Sequence, residues 1–175
     1  MVSPEPYRIE ERPPTVAELR ALNTAVGWTD LPEDDDAVAR GLAASLFGVV
    51  ITMAGQTVAC GRLVGDGGVY FYLQDMIVVP EHQRRGVGDL VMAEMWGHLR
   101  DHASHGATIG LMSAEGRAGF YERWGFAARP PGGPGMMLAW DPDHPPPLPG
   151  WMTGAAESTR GAPPAHPSTK PAPPP

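Results

Sequence analysis

The chain has 175 residues, 42% of them hydrophobic, and a formal net charge of −7, which fits one domain with a true core. The acidic balance argues against a general nucleic-acid binder, which needs basic surface to displace counterions. The single cysteine, Cys60, excludes a disulfide framework and a Cys-based zinc site, and no metal site is expected.

No apolar run reaches the length of a membrane span, and the opening Met-Val-Ser-Pro-Glu-Pro lacks a signal-peptide core, so a cytoplasmic location is expected. Tyr7 to Glu10 reads as a short strand. Pro13-Pro14-Thr15 opens a helix with Val16, Leu19, Leu22 and Val26 on one face, and Gly27 ends it. Pro32 to Asp36 starts a second helix that runs to about Ser45, its acids serving the N-terminal dipole. Phe47 to Met53 and Thr57 to Val64 read as strands about the tight turn Ala54-Gly55-Gln56, and Val69 to Val79 follows after Gly65-Asp66-Gly67-Gly68. Three strands joined by tight turns imply an antiparallel meander.

Gly86 to about His102 forms the longest helix, with Val87, Leu90, Val91, Met95 and Leu99 on one face, and Gly106 breaks the chain after it. Thr108 to Met112 is the next strand, and the strand–helix–strand unit makes it parallel to Val69–Val79. A short helix over Arg117–Trp124 then precedes strands at Phe126–Ala128 and Met136–Trp140. Twelve of the 21 prolines lie after Trp140, so residues 1–140 are expected to fold and 141–175 to form a disordered Pro-rich tail. His98, His102 and His105 lie on or after the long helix with no acidic or Cys partner in pattern, and read as surface. His82 is expected to be exposed.

The stretch Gln83-Arg84-Arg85-Gly86-Val87-Gly88 joins the end of a strand to the start of the longest helix. A helix N-terminus carries unpaired N–H groups and about half a positive charge. Glycines let the backbone approach a phosphate closely, so this turn is suited to a pyrophosphate. It lacks the Gly-Lys-Ser/Thr ending of Walker A and the third glycine of GxGxxG.

The pattern Q-x-x-G-x-G, preceded by Val78-Val79-Pro80-Glu81, resembles the acyl-CoA loop of the GNAT superfamily of N-acetyltransferases. Phe120-Tyr121-Glu122-Arg123-Trp124-Gly125-Phe126 is similar to that family's F-Y-x-x-x-G-F segment, and the likeness extends over about Phe47–Trp140. The resemblance implies an α/β fold, a central mixed sheet with splayed parallel strands flanked by helices. It also implies acetyl-CoA as cosubstrate. The cosubstrate would lie against Met76, Ile77, Val78 and Val79 and on the amides and side chains of Gln83, Arg84, Arg85, Gly86, Val87 and Gly88. The N–H of Ile77 or Val78 would serve the developing oxyanion. By the same likeness Tyr121 would donate to the leaving thiolate, and Asp75 would be the base or the ammonium ligand, with Glu115 as second candidate.

Alternation puts Gln74 and Asp75 on opposite faces of a regular strand, which a bulge would change. Asp89 departs from the family pattern and is expected to point outward; no asparagine follows the fifth strand, where Ser113 stands instead. Trp28, Phe71, Tyr72 and the loop Pro130–Gly135 are candidates for the acceptor pocket. The acceptor expected is a primary amine on a small molecule, with a homodimer open. A CoA-sensing or partner-binding domain and a protein lysine or N-terminal acetyltransferase remain the alternatives.

Overall fold

A computed structural model describes residues 7–129 together with 131 and 133. The chain divides into two compact units, Met1–Ala127 and Ala128–Pro175. The expected strand at Met136–Trp140 and the Pro-rich tail lie outside the described residues.

Five strands form one sheet in sequence order: β1 (Arg8–Glu10), β2 (Phe47–Met53), β3 (Gln56–Gly65), β4 (Tyr70–Val78) and β5 (Thr108–Gly110). The first four pair antiparallel, and β4 pairs parallel with β5. Helices α1 (Val16–Val26) and α2 (Asp35–Ala43) pack on one face through Leu19, Leu22, Val38 and Leu42, against Val50, Cys60 and Ile77. Helix α3 (Val87–His102) packs on the other through Val87, Val91, Met92, Met95 and Leu99. Each of these buried side chains contributes roughly 1.5–3 kcal/mol relative to exposure. The short helix α4 (Ala118–Glu122) adds Phe120 and Tyr121 to the α3 side.

The local signals act as their chemistry dictates. Thr15 closes a capping box with Glu18, and Gly27 ends α1 at φ 75°. Asp34 caps α2 by accepting from the Asp36 and Ala37 N–H groups, so the acidic cluster serves the helix start. Two strand expectations change. β5 stops at Gly110 rather than Met112, because its ladder with β4 ends at the Tyr72–Gly110 pair. Phe126–Ala128 has no ladder partner among the described residues and is not a strand. His82 is half-buried, not exposed: its Nδ1 hydrogen-bonds Tyr7 Oη at 2.9 Å, with the rings edge to face.

Candidate active site

β4 runs on to Val78 while β5 ends opposite Tyr72, so the β5-facing edge of β4 is open beyond that point. Val79 N–H donates to the Val58 carbonyl, on the β3 side. Successive residues of a strand turn their backbone groups to opposite sides. Ile77 therefore faces β3, its register partner being Cys60, and Met76 and Val78 face the open edge. Of the two oxyanion candidates, the Val78 N–H is the one on the cleft side. Gln83 Nε2 donates to the Val78 carbonyl at 2.9 Å, and its Oε1 accepts from Arg117 at 3.2 Å. Gln83 thus braces the loop between the end of β4 and the start of α4.

The loop itself is strained in the manner of an anion cradle. Arg84 has φ 59° and Gly86 has φ 80°. A Cβ on Gly86 would meet nothing within 4 Å, so glycine is needed there for its backbone conformation. A Cβ on Gly88 would lie 3.3 Å from the Phe120 ring, which fixes how closely α4 approaches α3. The first turn of α3 has no side-chain cap, whereas α1 and α2 both have one. The first N–H to close inside α3 is that of Leu90, onto Gly86, leaving the N–H groups of Val87, Gly88 and Asp89 directed out of the helix end. Arg84 and Arg85 are exposed beside them. Asp89 is drawn aside by Trp124 Nε1 at 3.1 Å and by Arg123 at 3.5 Å, the outward position expected for it.

At the middle of β4 the sheet carries a bulge. Arg62 pairs with Gln74 and Cys60 with Ile77, so Gly61 faces both Asp75 and Met76. Asp75 takes φ 52° there. Gly61 suits the close approach of α3: a Cβ would come within 2.7 Å of Met76 Sδ and Val91 Cγ1. Before the bulge, Phe71 and Leu73 pack toward α3; after it, Met76 does so and Ile77 turns to α1 and α2. Gln74 and Asp75 consequently act together on the α2 side. Asp75 Oδ2 accepts from Arg62 Nε, and Asp75 Oδ1 accepts from Gln74 Nε2 at 3.0 Å. The ion pair is largely buried, with side-chain exposures of 16% for Arg62 and 10% for Asp75. Arg62 also reaches the Gly41 carbonyl and Ser45 Oγ at the end of α2. Cys60 lies beneath, its Sγ 3.2 Å from the Asp75 carbonyl, and burial pushes its thiol far above the usual range, so it is no nucleophile.

Tyr121 on α4 is half-buried, and burial followed by the neighbouring Tyr72 raises its phenol above the ordinary value. Glu115 is exposed in the turn between β5 and α4, as is Ser113. Phe71 is a core residue, while Trp28 is exposed. Arg62 and Arg117 were not singled out from sequence. The signal for Arg62 was a lone charge in an otherwise apolar strand. No group of three or more metal-ligating side chains occurs among the described residues. No helix among them is long and apolar enough to cross a membrane.

Residues 44–128 match the family described as the acetyltransferase (GNAT) domain. An uncharacterized N-acetyltransferase of Porphyra purpurea is 28% identical over 127 residues, covering 71% of each chain. Among solved structures, a GNAT family acetyltransferase from Streptococcus pneumoniae is 27% identical with a TM-score of 0.63, over 78% of this chain and 99% of that one. A Staphylococcus aureus "probable acetyltransferase" superimposes with a TM-score of 0.71 at 24% identity, over 77% of this chain and all of its own, and so speaks for the fold. The open strand edge, the uncapped helix and these likenesses agree: the chain carries an acetyltransferase domain of the GNAT superfamily.

Proposed function

We propose that this protein is an acetyl-CoA-dependent N-acetyltransferase that transfers the acetyl group to a primary amine of a small molecule by direct attack in a ternary complex. The observation that carries the reading is the conjunction of an uncapped α3 N-terminus, a loop with two positive φ angles, and a β4 edge left open from Tyr72 onward. Bound there, acetyl-CoA supplies an acyl group activated as a thioester. The amides of Arg84 to Gly88 hold the diphosphate, with Arg84 and Arg85 alongside. The open backbone groups of Met76 meet an amide of the pantetheine arm as a strand would, the Val78 carbonyl being held by Gln83. Val78 N–H serves the oxygen that gains negative charge.

Tyr121 donates to the sulfur. A free phenol titrates near ~10 and a thiol near ~8.5, so full proton transfer is uphill by roughly 2 kcal/mol. Burial raises the phenol further, so Tyr121 acts as a hydrogen-bond donor that stays protonated at neutral pH. Asp75 is the group for the ammonium or its proton, since each carboxylate oxygen can accept more than the one hydrogen bond it takes from Arg62 or Gln74. The occupation of both its oxygens by Arg62 and Gln74 favours, as a second reading, a CoA-sensing domain with little turnover.

Thiol release from acetyl-CoA against a panel of primary amines separates the two readings. Tyr121→Phe should lower turnover about 10-fold or more while leaving the CoA dissociation constant unchanged. Equal turnover in the variant would remove Tyr121 from the chemistry.

A further inference from the structure

The β4–β5 ladder ends at the Tyr72–Gly110 pair, so no ladder among the described residues joins the last turn of β4 to the segment after β5. A run of side-chain hydrogen bonds does. Gln83 Nε2 donates to the Val78 carbonyl at 2.9 Å, and Gln83 Oε1 accepts from Arg117 at 3.2 Å. These two contacts fix the orientation of the amide, because a backbone carbonyl only accepts and a guanidinium only donates. Glutamine is matched to the place: a carboxylate would bring no proton to the Val78 carbonyl, and a cation would face Arg117. Across residues 111–122 the other side-chain hydrogen bond among the described residues runs from Ser113 Oγ to the Ala114 carbonyl and stays within the segment. Helix α4 is five residues long and has no side-chain cap. So short a helix is marginal by itself and takes its place from its contacts. Phe120 sets how near α4 comes to α3, since its ring packs over Gly88. Apolar packing is non-directional, so it fixes the slide and rotation of α4 less than a directional hydrogen bond does. Arg117 is the N-cap residue of α4 and precedes Tyr121 by four positions, the spacing that puts two side chains on one side of a helix.

Taking the acetyl-CoA reading as given, we propose that Arg117 is a positioning residue for Tyr121. Through Gln83 it anchors the start of α4 to the end of β4, and so fixes the direction from which the Tyr121 hydroxyl meets the sulfur. It touches neither the acyl group nor the acceptor. Arg117 is exposed and Gln83 half-buried, so the link adds little to stability and its effect is on geometry.

The test needs no knowledge of the acceptor. Calorimetry on the full chain compares CoA with desulfo-CoA, which lacks the sulfur. The wild-type chain should prefer CoA by about 3- to 10-fold, the share of one hydrogen bond from Tyr121, and Tyr121→Phe should abolish that preference. Arg117→Ala should cut the preference about 2-fold or more and leave the affinity for desulfo-CoA unchanged. Arg117→Lys still donates to Gln83 and should restore most of it. Adding Arg117→Ala to Tyr121→Phe should change nothing further, because the two act through one hydroxyl. An undiminished preference in Arg117→Ala overturns the role, and a fall in melting temperature without that loss marks a purely structural arginine. Equal weakening of both ligands also overturns it, being the mark of a direct phosphate contact. A wild-type chain that binds the two ligands equally removes Tyr121 from the sulfur and the role of Arg117 with it. One that binds neither brings down the acetyl-CoA reading itself.

Discussion

Replacing Asp75 by asparagine, alanine and glycine separates two things this residue does. Its carboxylate compensates Arg62, and its backbone occupies φ 52° at the bulge. Removing one partner of a fully buried pair costs about 3–5 kcal/mol. Here Arg62 is 16% exposed and keeps the Gly41 carbonyl and Ser45 Oγ, which brings the expectation for Asp75→Asn down to about 2 kcal/mol. Asparagine tolerates the left-handed region much as aspartate does, so that variant isolates the charge. Alanine at the same φ should lose roughly 1 kcal/mol more, and glycine should recover that increment. Urea unfolding followed by circular dichroism, with m held constant across the series, reads these differences directly. For a domain of this size a 2 kcal/mol loss is about 6–8 °C in Tm. An asparagine variant within about 0.5 kcal/mol of wild type would show that the pair does not hold the bulge. Alanine equal to asparagine would show that the positive φ is not maintained in solution.

Two further variants test the loop and the first helix. Gly86→Ala meets no neighbouring atom, so its cost is conformational, roughly 1–2 kcal/mol, and calorimetry should show CoA affinity reduced about 10-fold as the cradle relaxes; unchanged melting and binding would refute the anion-cradle geometry. Glu18 is held well below the usual carboxylate range by the Arg12 guanidinium first, against the cost of burial, with help from the Thr15 N–H and the Thr57 hydroxyl. Because its folded value is depressed, the stability it adds is complete above the unfolded value of about 4.3 and is lost as pH falls toward the folded one. Glu18→Gln should therefore cost about 1–2 kcal/mol at pH 7 and progressively less toward pH 3; parallel urea midpoints at the two pH values would contradict this.

Much of the molecule was legible along the chain because its causes are local. The caps at Thr15 and Asp34, the stop at Gly27, the apolar face of α3 and the glycine-spaced loop follow from residue types a few positions apart. The meander and the parallel crossover follow from the lengths of the connections. The placement of Asp75 was conditional at that level, since strand alternation alone separates it from Gln74. Only the pairing of β3 with β4 could settle it, because a bulge is a mismatch in count between two strands and belongs to neither. The same holds for the Arg62–Asp75 pair, 13 residues apart, and for His82 against Tyr7, 75 apart. It holds again for the choice of Val78 over Ile77 at the open edge, which depends on which side β3 occupies. The end of the β4–β5 ladder at Tyr72 is likewise tertiary: the sequence shows two strands suited to run parallel, but how far they stay paired is a property of both strands together.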